Sequence, residues 1–297
     1  MFGFINFYKP LHWTSHDCVA KVRRLLKLRK VGHGGTLDPL ATGVLPIAVG
    51  QATRLLGYLP PTKAYRATVR LGLQTSTDDL AGEVLNSQSA SAITLEQVAH
   101  YLPQFCGTIT QVPPQYSAIQ RDGKRLYELA RQGKIVEVPA RQVTIYSLKT
   151  LGWRPGEFPE LDLEIACGEG TYIRAIARDL GTLLGVGGTL AALERIASGG
   201  LPLEESLSLE ELAEKIHQSQ TFLTLPEQTL THLSLQILET EKARRWCQGQ
   251  KLILQESELA NLTPGIRIQD QTGRFLGMGK IVFVESQPYL APQVVLS

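Results

Sequence analysis

The chain has 297 residues, of which 43% are hydrophobic and 20% charged, and carries a formal net charge of +2. That composition excludes a disordered, fibrous or disulfide-framed protein and suits one large domain followed by a smaller one. No apolar run approaches the roughly 18 residues of a membrane span, and Cys18, Cys106, Cys167 and Cys247 form no CxxC pair, so all four are expected as buried thiols in a reducing cytoplasm.

In chain order, residues 1–7 enter a strand with no basic n-region or cleavage site, so no signal peptide is expected. The strand ends at Lys9-Pro10. Thr14 or Ser15 can cap a helix over 16–28, with Val19, Val22, Leu25, Leu26 and Leu28 on its apolar face. Lys21, Arg23, Arg24, Lys27, Arg29 and Lys30 crowd the rest of this segment. Residues 1–70 hold eleven Lys or Arg against two Asp or Glu, whereas 201–241 hold one against eight. Such a one-sided basic field suits a polyanion, nucleic acid first, and its plain alternative is a solvated helix face.

Next comes Gly32-His33-Gly34-Gly35-Thr36-Leu37-Asp38-Pro39-Leu40-Ala41-Thr42-Gly43, a run of small and rigid residues around a single carboxylate. Glycine permits close backbone approach, and Pro39 biases Asp38 toward an extended conformation. Alone, this loop reads more readily as a turn, since Asp before Pro commonly initiates one. Residues 44–49 read as a buried strand. Residues 63–72 alternate, with Tyr65, Ala67, Val69 and Leu71 on one face and Arg66, Thr68 and Arg70 on the other, as a half-buried strand does.

Residues 74–94 are polar and irregular, and a helix is expected over 94–102. Residues 112–131 read as an extended segment, a turn and a short basic helix. Strands are expected at 143–153 and 160–167, and Gly168-Glu169-Gly170 turns the chain into a helix over 171–184. Arg174 then lies in the first turn, where the helix dipole disfavours a cation, so either a phosphate or carboxylate partner or a simply exposed arginine is expected; Arg178 shares its face. An acidic helix is expected over 204–217. After 230 the chain becomes short strands with one helix at 239–248. The fold class is α+β: a catalytic domain at 1–230 on a mixed, largely antiparallel sheet, then a small β-rich domain at 231–297.

Familiar cofactor signatures are missing. No glycine-rich phosphate loop, GxGxxG, HExxH or GxSxG elbow occurs, which disfavours nucleotide-dependent, metalloprotease and serine-hydrolase chemistry. No metal site and no cofactor are expected.

Five segments, taken in order, resemble the TruB family of tRNA pseudouridine synthases. They are Lys9-Pro10 with Thr14-Ser15; Gly32-His33 with Thr36 through Leu45; and Lys63-Ala64-Tyr65-Arg66 with Leu71-Gly72. Val112-Pro113-Pro114 with Ser117-Ala118, Gly123 and Tyr127, and Gly170 through Arg174 with Leu193 and Ser198-Gly199, complete the set. The resemblance implies isomerisation of uridine-55 in the tRNA T-loop to pseudouridine by base extrusion, with RNA chaperoning as an accompanying role. It implies Asp38 as the catalytic aspartate, Arg174 as its partner, and Tyr65 stacking on the base and assisting proton removal. Leu193 would lie on the base's other side and His33 where the base leaves the RNA. Phosphate contacts are expected from Lys9, Arg24, Lys30, Arg66, Lys124, Arg125 and Arg178. An RNA-clamping insertion is expected at about 113–145, and the C-terminal domain resembles a PUA-like RNA-binding module. The T-arm stem-loop is the expected partner of a cytoplasmic monomer with no obligate protein partner. The chain departs from the family pattern at His12, usually glycine, and at Gly34, Gln120 and Glu194. A binding or chaperone protein on the same fold is the alternative from another class.

Overall fold

The structure, a computed structural model, describes residues 1–116, 120–121, 124–125, 138–255, 259 and 262–296. In chain order the first elements are β1 (Gly3–Lys9), α1 (Ser15–Leu26), β2 (Val31–His33), β3 (Ala41–Val49), β4 (Lys63–Leu71), β5 (Leu73–Thr75), β6 (Val84–Ser87), α2 (Leu95–Tyr101) and β7 (Gly107–Gln111). After β8 (Gln120–Arg121) and β9 (Lys124–Arg125) come β10 (Arg141–Arg154), β11 (Glu160–Cys167), α3 (Ile173–Leu183), β12 (Gly188–Ser198) and β13 (Leu201–Pro202). The chain closes with α4 (Leu209–His217), α5 (Pro226–Thr229), β14 (Ser234–Leu238), α6 (Thr240–Cys247), β15 (Leu252–Ile253), β16 (Ile266–Asp270), β17 (Phe275–Val284) and β18 (Gln287–Val295).

One large sheet organises residues 3–202, in the order β1-β3-β12-β4-β11-β10-β7, with β2 on β3 and β13 on β12. Its pairings are antiparallel except β12 with β3, so the expected mixed, largely antiparallel sheet is what forms. The alternation read over 63–72 becomes β4, which buries Tyr65, Ala67, Val69 and Leu71 against α3 and the layer around α2. β12 and the edge strand β7 are strands that the sequence pattern does not announce. Two register shifts, between Leu190 and Ala192 and between Arg195 and Ala197, break the alternation of β12.

The parallel β3–β12 contact depends on one glycine. Gly43 has a φ of +98°, and a Cβ there would stand 2.3 Å from the Arg195 carbonyl oxygen. Any side chain would therefore push the Asp38 loop off the sheet.

Helix α1 starts on a capping box: Thr14 Oγ1 accepts from the Asp17 amide at 3.0 Å, and Asp17 Oδ2 accepts from the Thr14 amide at 2.9 Å. It ends before residue 28 because Lys27 turns left-handed, with a φ of 54°. The acidic helix begins later than expected, since Ser208 caps it through Glu211 and residues 203–205 form a separate short turn. Cysteines also need correction. Cys18 and Cys167 are buried, but Cys247 is half-buried and Cys106 exposed, at the start of an edge strand.

A second sheet, β14-β16-β17-β18-β15, holds residues 234–295. Its Phe275, Met278, Val294 and Leu296 share an apolar cluster with Phe4, Ala48, Ala52 and Leu55 of the first body. Arg54 crosses the same seam, donating to the Val295 carbonyl at 2.7 Å. The expected clamp at about 113–145 lies largely outside the described residues. Among those described, no helix is long and apolar enough to cross a membrane.

Candidate active site

The carboxyl end of the Asp38 loop, the start of α3 and the middle of β4 converge on a cavity of about 320 Å³. Asp38, Tyr65, Arg174 and Leu193 all line it, together with Lys63 and Arg141. Residues separated by more than 150 positions in sequence thus meet around one space of the size that holds a small ligand or a single nucleotide.

Asp38 is fixed from behind. Ser15 Oγ accepts from the Leu37 amide at 2.9 Å, and the Asp38 carbonyl accepts from the Ala41 amide at 3.0 Å. Lys9 Nζ sits beneath the loop, donating to the carbonyls of Trp13 at 2.6 Å, Pro10 at 2.9 Å and Pro39 at 3.4 Å. Lys9 is fully buried, and that burial lowers its ammonium to about 8. It therefore braces the Asp38 loop from inside, and the expectation that it reaches phosphate is corrected.

Arg174 answers the helix-start puzzle. Its side chain is 5% exposed, and Nε lies 3.0 Å from Asp38 Oδ2. Nη1 donates to the Thr77 carbonyl at 2.8 Å and stands 3.6 Å from Asp79 Oδ2, and Nη2 donates to the Tyr116 carbonyl at 2.9 Å. Gln111 pins the start of α3, exchanging hydrogen bonds with the Tyr172 amide and carbonyl at 2.8 and 3.1 Å. The Asp38 side chain, 40% exposed, faces the cavity. Burial raises its carboxyl above the usual range, Asp79 adds to the rise, and the Arg174 guanidinium opposes it.

Asp79 was not singled out in the sequence. Asp78 and Asp79 are the only charges between Arg70 and Glu83, in a segment read as irregular, and that isolation was the available signal. Asp79 Oδ1 accepts from Thr77 Oγ1 at 2.5 Å and from the Ala81 amide at 3.0 Å, which leaves Oδ2 facing Arg174. Asp78, one residue earlier and left-handed at a φ of 61°, pairs with Arg178 at 2.9 Å. Adjacent acids thus clasp arginines one helical turn apart.

Arg178 also donates to Asp179 at 2.8 Å and to the Val112 carbonyl at 2.9 Å. With its nitrogens committed inside the protein, it is a structural latch, contrary to the expected phosphate contact. Arg66 turns to the sheet face opposite Tyr65, 3.9 Å from Glu164, and so does not share the cavity. Arg24 and Lys30 are exposed, as a backbone-gripping role requires. Lys124 and Arg125 form β9, and their side chains lie outside the described residues.

Tyr65 is buried on the cavity wall, directly across the sheet register from Arg195; burial raises the phenol and Arg195 opposes the rise. Leu193 is half-buried and lines the same cavity. His33 packs edge-on to His16 with ring centroids 5.4 Å apart. Burial, helped by His16 and Arg195, lowers its imidazole, favouring the neutral ring. Arg141 lies over the Tyr172 ring at 4.7 Å and donates to the Gly170 carbonyl, placing a cation at the cavity rim.

A carboxylate held by a buried arginine, a tyrosine ring and a leucine facing one cavity suit a flat base and the bond that joins it to a sugar. Comparison with known proteins points the same way. Residues 23–173 match the family described as TruB family pseudouridylate synthase (N terminal domain), residues 174–242 the tRNA pseudouridylate synthase B C-terminal domain, and residues 237–296 pseudouridine synthase II TruB, C-terminal. A protein of Gloeothece citriformis named tRNA pseudouridine synthase B is 55% identical over 100% of this chain and 98% of its own length. One of the same name from Synechocystis is 54% identical over 100% of both. Among solved structures, a chain of an H/ACA RNP bound to a substrate RNA containing 2′-deoxyuridine shares the fold, with a TM-score of 0.73 at 22% identity, covering 100% of this chain and 86% of that one.

Proposed function

This chain belongs to the TruB family of pseudouridylate synthases, and we propose that it converts uridine-55 of the tRNA T-loop to pseudouridine, acting as a cytoplasmic monomer. The observation that carries this reading is the pairing of Asp38 with Arg174 at 3.0 Å in a cavity that Tyr65 and Leu193 also line.

The product is an isomer of the substrate. The N1–C1′ bond breaks, a C5–C1′ bond forms, the C5 proton leaves and N1 gains one, so the atoms balance without redox chemistry. The extruded uracil stacks on Tyr65 with Leu193 on its other face, and the Asp38 carboxylate, kept ionised and aimed by Arg174, starts cleavage of the glycosidic bond. Tyr65 takes the C5 proton. Asp79 aims Arg174 in turn. Arg24 and Lys30 face solvent beside the loop, where phosphates of the T-arm would meet them, and the C-terminal sheet contacts the tRNA outside the loop.

Pseudouridine mapping in a T-arm transcript tests this, with enzyme alone and no nucleotide added. Product at the T-loop uridine is expected, and Asp38→Asn is expected to abolish it while transcript binding persists. Turnover by that variant would refute the role of Asp38. No product from wild type on any tRNA transcript would overturn the reading.

A further inference from the structure

Arg195 is fully buried, yet among the described residues no carboxylate pairs with it. Buried cations ordinarily have a counter-charge. Here Nε donates to the Val44 carbonyl at 2.7 Å and Nη2 to the Gly35 carbonyl at 3.1 Å, while Nη1 is buried with no acceptor squarely in line. The register of β12 on β4 places Arg195 directly opposite Tyr65, so the two side chains leave the sheet side by side on one face and their charges couple. A guanidinium is a fixed cation that can only donate, so beside a phenol oxygen it favours the phenolate.

We propose that Arg195 is a positioning residue for Tyr65: its fixed charge orients the phenol oxygen and stabilises the phenolate that removes the C5 proton. This rests on the reading of Tyr65 as the base. In the step, the C5–H bond breaks, its proton passes to the phenolate oxygen, and the electron pair of that bond restores the C5=C6 double bond. Tyr65 ends as the neutral phenol, which returns its proton to water. The other titratable groups around the pair are Lys63 on β4, Cys167 at the end of β11, Lys9 at the end of β1, His33 on β2, and Asp38 on the loop. Asp38 and Cys167 oppose a phenolate, and Arg195 favours it.

Arg195→Met, which keeps length and removes charge, tests the inference in a single-turnover assay across pH. The rate at pH 7.5 is expected to fall at least tenfold with transcript affinity unchanged, and most of the loss is expected to return by pH 9.5. A loss equal at every pH means a structural role and overturns the inference. In a Tyr65→Phe background, Arg195→Met is expected to change the rate less than twofold; additive losses overturn it. If the methionine variant does not fold, the same cycle is run with Arg195→Lys, whose shorter reach weakens the coupling, and additivity again overturns the inference. Absorbance of tyrosinate near 295 nm, wild type minus Tyr65→Phe, is expected to titrate at lower pH than the same difference in the Arg195-substituted protein, and coincident titrations overturn the inference. This last measurement needs no substrate, so a failure of the inference is distinguishable from a failure of the proposed activity.

Discussion

Arg174 lines the cavity beside Asp38 and Arg195 lies opposite Tyr65 in the sheet register, both buried, and the fold compensates them by different means. Arg174 meets two carboxylates, Asp38 and Asp79, besides two backbone carbonyls. Arg195 meets carbonyls, and its charge couples to a phenol. Carboxylates cancel a charge, whereas carbonyl dipoles solvate it and leave its field in place. One arginine therefore holds an anion ready, and the other keeps an uncancelled positive field beside a weak acid.

The largest expected effect comes from removing the cancelled charge. Arg174→Gln leaves Asp38 without the main group that opposes its rise, Lys9 being the lesser one, so the pseudouridine-forming rate at pH 7.5 should fall at least a hundredfold, about 3 kcal/mol of barrier. In the proposed role the carboxyl acts ionised, so the rate should decline as pH drops through its pKa. With that pKa higher, the acid limb should move to higher pH, and an unmoved limb would break the contrast between the two arginines. Lys9→Met tests the solvated kind of cation. Three carbonyls lose their donor, and thermal or urea unfolding should show a loss of about 3 kcal/mol.

Asp79→Asn sharpens the comparison because its two consequences have opposite signs. The rate should fall about tenfold, about 1.4 kcal/mol, as Arg174 loses its aim. Yet a neighbouring anion that raised the Asp38 carboxyl is gone, so the acid limb should move to lower pH; a pH–rate profile separates the two. The smallest effect lies outside the cavity. His12 occupies left-handed backbone at a φ of 67°, where the family pattern usually has glycine, and donates its amide to the Pro39 carbonyl at 2.8 Å. His12→Gly should stabilise the chain by about 1 kcal/mol in unfolding experiments and leave the rate unchanged.

The setting of Arg174 was the more legible of the two. A cation in the first turn of a helix announces an anion, and the Gly/Pro setting of Asp38 marks a held carboxylate. The alternation that gave β4 placed Tyr65 on its buried face. Arg195 announced nothing, because its strand is bulged twice and its acceptors are carbonyls, which every residue carries alike. Lys9 was misread for the same reason: charge in a sequence suggests surface unless a partner of opposite sign is visible. Arg178 looked free because Asp78, which holds it, lies a hundred positions away in a stretch without periodicity.

The apolar seam between the two sheets bears on how the molecule comes apart. Phe275, Met278 and Leu296 belong to the same cluster as Phe4, Ala48 and Leu55, so neither half has a finished interior without the other. Heating should therefore melt both together in one cooperative calorimetric transition, and a truncation near residue 230 would leave a sticky, aggregation-prone stump in place of a smaller enzyme.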